Sequence, residues 1–151
     1  MDDAVPELTA HLGYWLRQVS NHVSQSFARK VAAEGVTVAE WAVMRVLLGT
    51  EPVAPSQLAD EMGLTRGAIT KLVDRLVGKG LAVREASARD GRAQVVRLTD
   101  EGRLRVPALA ALADRNEAEC FGHMSDADRA TLQRMLQEAV GRLGVTGTAI
   151  S

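Results

Sequence analysis

Residues 55–80 of this chain read PSQLADEMGLTRGAITKLVDRLVGKG. The stretch predicts two short helices separated at Gly63, because apolar residues recur at helical spacing on both sides of that glycine. Thr65 offers the hydroxyl of an N-cap for the second helix. This second helix has an apolar stripe with i, i+3, i+4, i+7 spacing, formed by Ile69, Leu72, Val73 and Leu76. Its opposite side is small, polar and basic.

The period of the pattern changes from helical to alternating after Gly80. Two short strands are predicted from the alternation at Leu81, Val83 and Glu85, and again at Val95, Arg97 and Leu98. The loop between them, from Ala86 to Gln94, contains Asp90 and Gly91, which favour a turn. We therefore expect a mostly α-helical fold with a small β-hairpin wing, in which a winged helix-turn-helix occupies residues 37–102.

Helices are also predicted on both sides of the short helix pair. A first helix extends from Pro6, at its first position, to about Glu34. A capping box at Thr37 and Glu40 begins another helix, which reaches about Leu48.

Two further helices follow the hairpin. Thr99 caps a helix that reaches about Gly122, with a kink expected at Pro107, and Ser125 begins the last helix. Residues 144–151 are expected to be frayed. Residues 1–151 are predicted to form one domain.

The composition is that of a globular protein. The chain has 151 residues, of which 46% are hydrophobic and 25% are charged. Its single cysteine excludes a scaffold held together by internal disulfides. The sequence starts with Met1-Asp2-Asp3, which is unlike a secretory signal peptide, and no run approaches the ~18 apolar residues of a membrane span. A cytoplasmic location is therefore expected.

The net charge of −1 conceals a strong asymmetry. Residues 64–105 contain ten basic and five acidic side chains, a net of +5, whereas the rest of the chain contains eight basic and fourteen acidic ones, a net of −6. A basic segment of this kind suggests a surface that binds an anion. Together with the helix pair and the hairpin, it predicts double-stranded DNA as the partner. The alternative is a winged-helix module that binds proteins and does not bind DNA.

The candidate DNA-binding residues lie on the two short helices and the wing, and they are Ser56, Gln57, Thr65, Arg66, Thr70, Lys71, Arg75, Arg89, Asp90 and Arg92. Arg66, Thr70 and Lys71 are expected to reach base edges in the major groove. Gly67 and Ala68, being small, permit the close approach that this contact requires.

Other basic residues are better placed for the DNA backbone or the minor groove. Arg75 and Lys79 lie further along the second helix, where phosphate contacts are expected. Arg92 at the tip of the hairpin is expected to enter a minor groove, with Asp90 holding its guanidinium in place.

Five stretches of the sequence resemble the MarR family of bacterial transcriptional regulators. Residues 56–65 resemble the first helix and turn of the family's helix-turn-helix, residues 67–76 resemble its recognition helix, and residues 79–81 resemble its exit into the wing. Residues 90–93 resemble the family's wing tip, and residues 98–103 resemble its entry into the fifth helix. The resemblance covers almost the whole chain. Ala54-Pro55 departs from the pattern, because many members have a capping hydroxyl there, although proline at the first helical position softens that loss.

The resemblance implies an obligate homodimer, with residues 1–36 and 103–145 as dimerisation helices, that binds a pseudo-palindrome with half-sites about one helical turn apart. It also implies a repressor that responds to a small aromatic or phenolic effector, bound between the dimerisation helices and the winged unit. Candidate ligand-binding residues are Tyr14, Trp15, His22, Trp41, Arg45 and Asn116, with Arg45 as the partner of a carboxylate. In the alternative interpretation, the two tryptophans are core residues and Arg45 is a surface charge.

Other chemistries find little support in the sequence. No catalytic motif is present, so neither an enzyme nor a cofactor is expected. His11 and His22 would lie about 16 Å apart along one helix. Cys120 and His123 supply only two ligands, so no metal site is predicted. A redox- or metal-responsive regulator of the same fold is the second alternative.

Overall fold

A computed structural model describes residues 5–150 of the chain. After a 3₁₀ turn at Leu8–Ala10, the regular elements are α1 (Leu12–Ala33), α2 (Val38–Thr50), α3 (Pro55–Met62), α4 (Arg66–Gly78), β1 (Ala82–Ala86), β2 (Gln94–Leu98), α5 (Asp100–Phe121) and α6 (Asp126–Leu143). This architecture confirms the predicted winged helix-turn-helix flanked by terminal helices. Within residues 5–150, no helix is long and apolar enough to span a membrane. The acidic start at Met1-Asp2-Asp3 lies outside the described residues.

Helix α1 begins at Leu12, so the prediction that it begins at Pro6 is wrong. The backbone at His11 is extended, with φ −103° and ψ 130°, and separates the 3₁₀ turn from the helix. The indole Nε1 of Trp15 donates to the carbonyl oxygen of Thr9 at 3.0 Å. In a continuous helix that carbonyl would accept from Gly13, so the indole takes the place of a helical hydrogen bond.

The predicted helix caps are confirmed. The hydroxyl of Thr37 accepts from the amide of Glu40 at 3.1 Å, and the Glu40 carboxylate accepts from the amide of Thr37 at 3.3 Å, which completes the capping box. The other caps are hydroxyl acceptors at Thr65, Thr99 and Ser125. Helix α5 continues through Pro107, and the kink expected there stays a prediction.

The wing is a two-stranded antiparallel hairpin, in which Ala82 lies opposite Leu98 and Ala86 lies opposite Gln94. Val53, just before α3, forms an additional bridge to Val96 through backbone hydrogen bonds of 3.1 and 2.8 Å. The sequence does not predict this bridge, because a single paired residue has no periodicity to reveal it.

The hydrophobic core lies where the end of α1, helices α2, α3 and α4, the hairpin and the first half of α5 meet. The predicted apolar stripe of α4 is buried there, which confirms the orientation of that helix. Gly102 allows α5 to cross the hairpin at close range, since a Cβ at this position would overlap the carbonyl oxygen of Leu81. The start of α5 is thereby fixed to the winged unit, which we define as residues 37–102.

The terminal helices leave much of their apolar surface uncovered. None of the residues of α6 is buried. In its apolar stripe Leu132 is half-buried, and the other members, Met135, Leu136, Val140 and Leu143, are 43–77% exposed. At the start of α1, Leu12, Trp15, Leu16 and Val19 are 46–77% exposed. Exposed apolar stripes on two long helices are typical of surfaces that another chain covers.

The expectation that residues 144–151 are frayed is wrong for the part that the structure describes, which ends at residue 150. The amide of Thr148 donates to the carbonyl of Met62 at 2.9 Å. Gly147, with φ 90°, lies against Gly63, with φ 64°, and a Cβ on Gly63 would be only 2.5 Å from the Gly147 Cα. Two glycines in the left-handed region permit a backbone contact that side-chain patterns do not reveal.

Candidate nucleic-acid interface and neighbouring cavity

Helix α4 is placed by the turn that precedes it. Gly63 ends α3 in the left-handed conformation, and the amide of Leu64 donates to the carbonyl of Ala59 at 3.0 Å, so the chain leaves the helix sharply. Thr65 then caps α4 through the amide of Ala68 at 3.1 Å. The turn buries the apolar back of α4 and leaves its polar side exposed.

The exposed side of α4 contains the residues predicted there, namely Arg66, Gly67, Thr70, Lys71, Asp74 and Arg75, and the N-cap residue Thr65 is exposed as well. The Thr70 hydroxyl donates to the carbonyl of Arg66 at 2.9 Å, which leaves its oxygen available as an acceptor. Within residues 5–150, the side chains of Arg66, Lys71 and Arg75 form no hydrogen bond or ion pair. Their charges are therefore available to an anion outside the chain.

Arg84 ties the wing to α4, and sequence reasoning missed this residue. Its guanidinium forms an ion pair with Asp74 and donates to the carbonyl of Thr70 at 3.4 Å. The contact joins β1 to the exposed side of α4, so the two elements that would approach DNA are held together. A strand arginine and a helix aspartate ten positions apart have no periodic relation that could have predicted the pair.

The tip of the wing presents Arg89, Asp90 and Arg92, all of which are exposed. A turn closes the tip through the amide of Ala93 and the carbonyl of Asp90 at 3.0 Å. The Asp90 carboxylate accepts from the backbone amide of Arg92 at 3.0 Å. The expectation that Asp90 holds the Arg92 guanidinium is therefore wrong, because the carboxylate shapes the turn instead.

Lys79 is not available for the phosphate contact expected of it. Its Nζ lies 2.7 Å from Oε2 of Glu40 and donates to the carbonyl of Gly35 at 2.8 Å. Glu40 is 1% exposed, so its carboxylate needs this cation. The pair fixes the end of α4 to the start of α2.

The two candidates on α3 lie in its first turn. Gln57 is exposed and Ser56 is half-buried. Both positions follow Pro55, the first residue of the helix, and they remain candidates for contacts to the DNA backbone.

A cavity of about 790 Å³ lies next to α4, with walls from α1, α2 and α5. Three of the predicted ligand-binding residues, Trp41, Arg45 and Asn116, line it. Sequence reasoning missed two further contributors, namely Arg75 from α4 and the tail residues 148–150. The cavity therefore touches both the terminal helices and the helix-turn-helix.

The remaining predicted ligand residues lie elsewhere, so the six candidates do not form one site. Trp15 and His22 line a second, smaller cavity of about 390 Å³, together with Glu119 and Cys120. Among the described residues, Tyr14 lines neither cavity. Its ring meets that of Trp15 edge to face, with centroids 5.2 Å apart, and its hydroxyl accepts from Gln18 at 3.0 Å.

Lys30 organises the contact between α1 and α5, and sequence reasoning missed it too. Its Nζ donates to the Ser26 hydroxyl at 2.9 Å and to Oδ1 of Asn116 at 3.1 Å, and lies 2.7 Å from Glu119. The Asn116 amide also donates to the carbonyl of Val23 at 3.2 Å. The oxygen and the nitrogen of the Asn116 side-chain amide thus both have partners within the chain, so Asn116 has a structural role in the wall of the cavity.

The same contact perturbs the ionisation of Glu119. Hydrogen bonds from Lys30 and, next, from Arg115 lower the pKa of the Glu119 carboxyl below its ordinary value. The charged form is favoured because both partners are cations.

The candidate metal and redox residues do not form a site among residues 5–150. No three side chains of the metal-binding types come together in that part of the chain. Cys120 is a half-buried free thiol.

An exposed basic helix on a buried apolar back, beside a hairpin that an ion pair holds in place, defines a winged helix-turn-helix protein of the DNA-binding class. The sequence model of the MarR family matches residues 34–93. A putative transcriptional regulatory protein for the hcr operon of Thauera aromatica is 30% identical over 131 residues, which cover 86% of this chain and 79% of that protein. The chain belongs to the MarR family of transcriptional regulators.

Two solved structures of CouR are also similar, and the one with p-coumaroyl-CoA is of the protein from Rhodococcus jostii RHA1. The repressor CouR bound to a 23-mer DNA duplex has 28% identity and a TM-score of 0.78, over 93% of this chain and 99% of that one. CouR bound to p-coumaroyl-CoA has 26% identity and a TM-score of 0.74, over 88% of this chain and 94% of that one.

Proposed function

We propose that this MarR-type regulator is a homodimeric repressor that binds a pseudo-palindromic DNA site and is released by a small aromatic effector. The observation that carries the proposal is the exposed side of α4. Three cationic side chains there, on Arg66, Lys71 and Arg75, have no partner within residues 5–150, while the apolar back of the same helix is buried. A helix of this kind fits the major groove.

The exposed stripes on α1 and α6 support the homodimer. Apolar side chains that are 43–77% exposed on two long helices would be covered by the same helices of a second copy around a two-fold axis. That arrangement would place two winged units side by side, with their α4 helices spaced to enter successive major grooves.

The candidate DNA-binding residues would contact different parts of the DNA at each half-site. Arg66, Thr70 and Lys71 would contact base edges, because they lie in the first turns of α4 beside Gly67. The remaining candidates would contact the backbone or the minor groove: Ser56, Gln57, Thr65, Arg75, Arg89, Asp90 and Arg92. Asp90 would act indirectly, since its carboxylate holds the turn that presents Arg92.

The larger cavity supports an aromatic effector. Its volume of about 790 Å³ is within the range of small-molecule sites, and Trp41 and Arg45 offer an aromatic surface and a cation. The similarity to CouR, which was solved with p-coumaroyl-CoA, favours an aromatic acid or its thioester. A bound effector would change the spacing of the two α4 helices, so that they no longer fit adjacent grooves. The protein would act in the cytoplasm, where it would exclude polymerase from the bound site.

Selection from random-sequence DNA, followed by gel shift at several salt concentrations, tests the proposal. The selected sites should contain an inverted repeat with centres about 10 base pairs apart, and affinity should fall steeply with salt. Arg66→Ala and Thr70→Ala should relax sequence discrimination, whereas Arg75→Ala should weaken all sites alike. Arg134→Ala on α6, outside the winged unit, is the matched control. Failure to bind any duplex at low salt would refute DNA binding, and equal losses from all variants would refute the residue roles.

A further inference from the structure

Arg75 lies at the boundary between the exposed side of α4 and the larger cavity. Successive helical residues are turned by about 100°, so the Arg75 side chain is roughly 40° from Lys71 and roughly 60° from Leu72. Lys71 is exposed and Leu72 is buried. Arg75 is itself exposed, and it also lines the cavity. One guanidinium is thus within reach of two different environments.

A second arginine lines the same cavity. Arg45 belongs to α2, and within residues 5–150 neither Arg45 nor Arg75 forms an ion pair or a side-chain hydrogen bond. The cavity lining contains one carboxylate, that of Glu117. The electrostatics of the cavity therefore favour an anion.

The other walls favour an aromatic group next to that anion. Phe27 and Trp41 line the cavity, and its remaining lining is largely aliphatic, from residues such as Val23, Val38 and Val46. An aromatic ring attached to a carboxylate or a phosphate would match both parts of the cavity.

We propose that Arg75 and Arg45 together bind the anionic group of the effector, and that Arg75 thereby leaves the DNA phosphate that it contacts in the repressing state. The inference rests on the proposed function, because it requires both DNA binding and an effector in this cavity. It adds direct competition for one side chain to the change in helix spacing. Arg75 is then a residue that selects the effector and also senses its presence.

Competition for Arg75 has a quantitative signature in the salt dependence of DNA binding. Each phosphate contact contributes about 0.9 to the slope of log K against log salt. Loss of one contact in each subunit of a dimer should lower that slope by about 1.8. The variant Arg75→Gln already lacks these two contacts, so the effector should lower its slope by about 1.8 less than it lowers the slope of the parent.

The first experiment measures effector binding to the dimer without DNA by titration calorimetry. The probes are p-coumarate with its neutral amide and benzoate with benzamide. The parent should bind a carboxylate roughly tenfold or more tightly than the amide, because a charge-assisted hydrogen bond is worth about 1.5–3 kcal/mol. Arg75→Gln and Arg45→Gln should each remove most of this preference. Lys71→Gln, on the same helix but outside the cavity lining, should keep it.

The second experiment measures DNA affinity for the selected site against salt, with and without saturating carboxylate. The carboxylate should lower the slope of the parent by about 1.8 more than it lowers that of Arg75→Gln, and Lys71→Gln, at a position proposed to contact base edges, should respond to the carboxylate like the parent. Equal carboxylate and amide affinities in the parent, or an unchanged preference in Arg75→Gln, would overturn the inference and leave the proposed repressor standing. A parent that binds no duplex at low salt would instead refute the proposed function.

Discussion

Helices α4 and α6 are both amphipathic, yet the apolar side of α4 is buried within the chain and that of α6 is largely exposed. The apolar stripe of α4, formed by Ile69, Leu72, Val73 and Leu76, is at most 6% exposed. In the stripe of α6, Leu132 is half-buried, whereas Met135, Leu136, Val140 and Leu143 are at least 43% exposed. Periodicity predicts both stripes equally well. It does not indicate whether the partner that covers a stripe is the same chain or another one.

The difference separates two kinds of stability in this protein. The winged unit packs around a core that also includes Val31 of α1 and Val106 and Leu109 of α5, all within one chain, so its folding is an intramolecular property. The surfaces of α6 and of the start of α1 gain stability only when something covers them, which makes that part of the free energy dependent on concentration. Four predictions test this division, from the largest expected effect to the smallest.

Substitution in the core of the winged unit should have the largest effect. Leu76→Ala removes a fully buried side chain from α4 and should lower the free energy of unfolding by about 3 kcal/mol, within the range for such cavities. Leu48→Ala is the matched control, because Leu48 lies on α2 within the winged unit and is 40% exposed, so its loss should be about 1 kcal/mol or less. Urea unfolding at one protein concentration measures both. Equal losses from the two variants would contradict the assignment of the core.

Substitution in the stripe of α6 should act on association rather than on the fold. Val140→Glu places a carboxylate in the proposed dimer interface and should weaken dimerisation by about 100-fold, or about 2.7 kcal/mol. Sedimentation equilibrium measures the association constant, and circular dichroism reports whether the helices persist. Ala130→Glu adds the same charge on the polar side of α6 and should leave the association constant within a few-fold. A Val140→Glu variant that associates like the parent would show that this stripe is not the interface.

The sequence predicts local features well and contacts between distant residues poorly. The capping box of Thr37, the turn at Gly63 and the cap at Thr65 are each decided within four residues, and the structure contains all three. The predicted start of α1 is wrong because the Trp15 indole competes for the backbone carbonyl of Thr9. The hydrophobic periodicity of the sequence does not reveal such a contact.

The candidate site shows the same division between local and distant features. The exposed side of α4 was predictable, because it is the complement of a buried stripe on a single helix. The cavity was only partly predictable. The Trp15 and Trp41 side chains were both plausible ligand contacts, but they line different cavities. Arg75 and the tail line the larger cavity because α1, α2, α4, α5 and the tail pack together, and the pattern of residues along the sequence does not reveal which segments meet.

Two lysine–carboxylate pairs extend the comparison between the winged unit and the terminal helices. Lys79 pairs with Glu40, which is 1% exposed, whereas Lys30 pairs with Glu119, whose side chain is 48% exposed. Glu40→Gln should lower the free energy of unfolding by about 1–2 kcal/mol, because it removes the ion pair and weakens the capping box. The loss is limited because Lys79 is partly exposed and regains water. Urea unfolding measures the loss, which should exceed that of Glu119→Gln, and the reverse order would contradict the buried role of Glu40.

The pair of Lys30 and Glu119 should have the smallest effect, and its pH dependence identifies it. The pKa of Glu119 is lower in the folded protein than its ordinary value near 4.5, because Lys30 and Arg115 stabilise the carboxylate. Its contribution is therefore fully present above about pH 4.5 and is lost as the pH falls through the lower, folded value. The melting temperatures of the parent and Glu119→Gln should differ at pH 7 and converge in acid. Glu117→Gln, on the same helix with no ion pair among the described residues, should follow the parent. A parent–Glu119→Gln difference that persists or grows in acid would show that Glu119 acts through packing rather than through its charge.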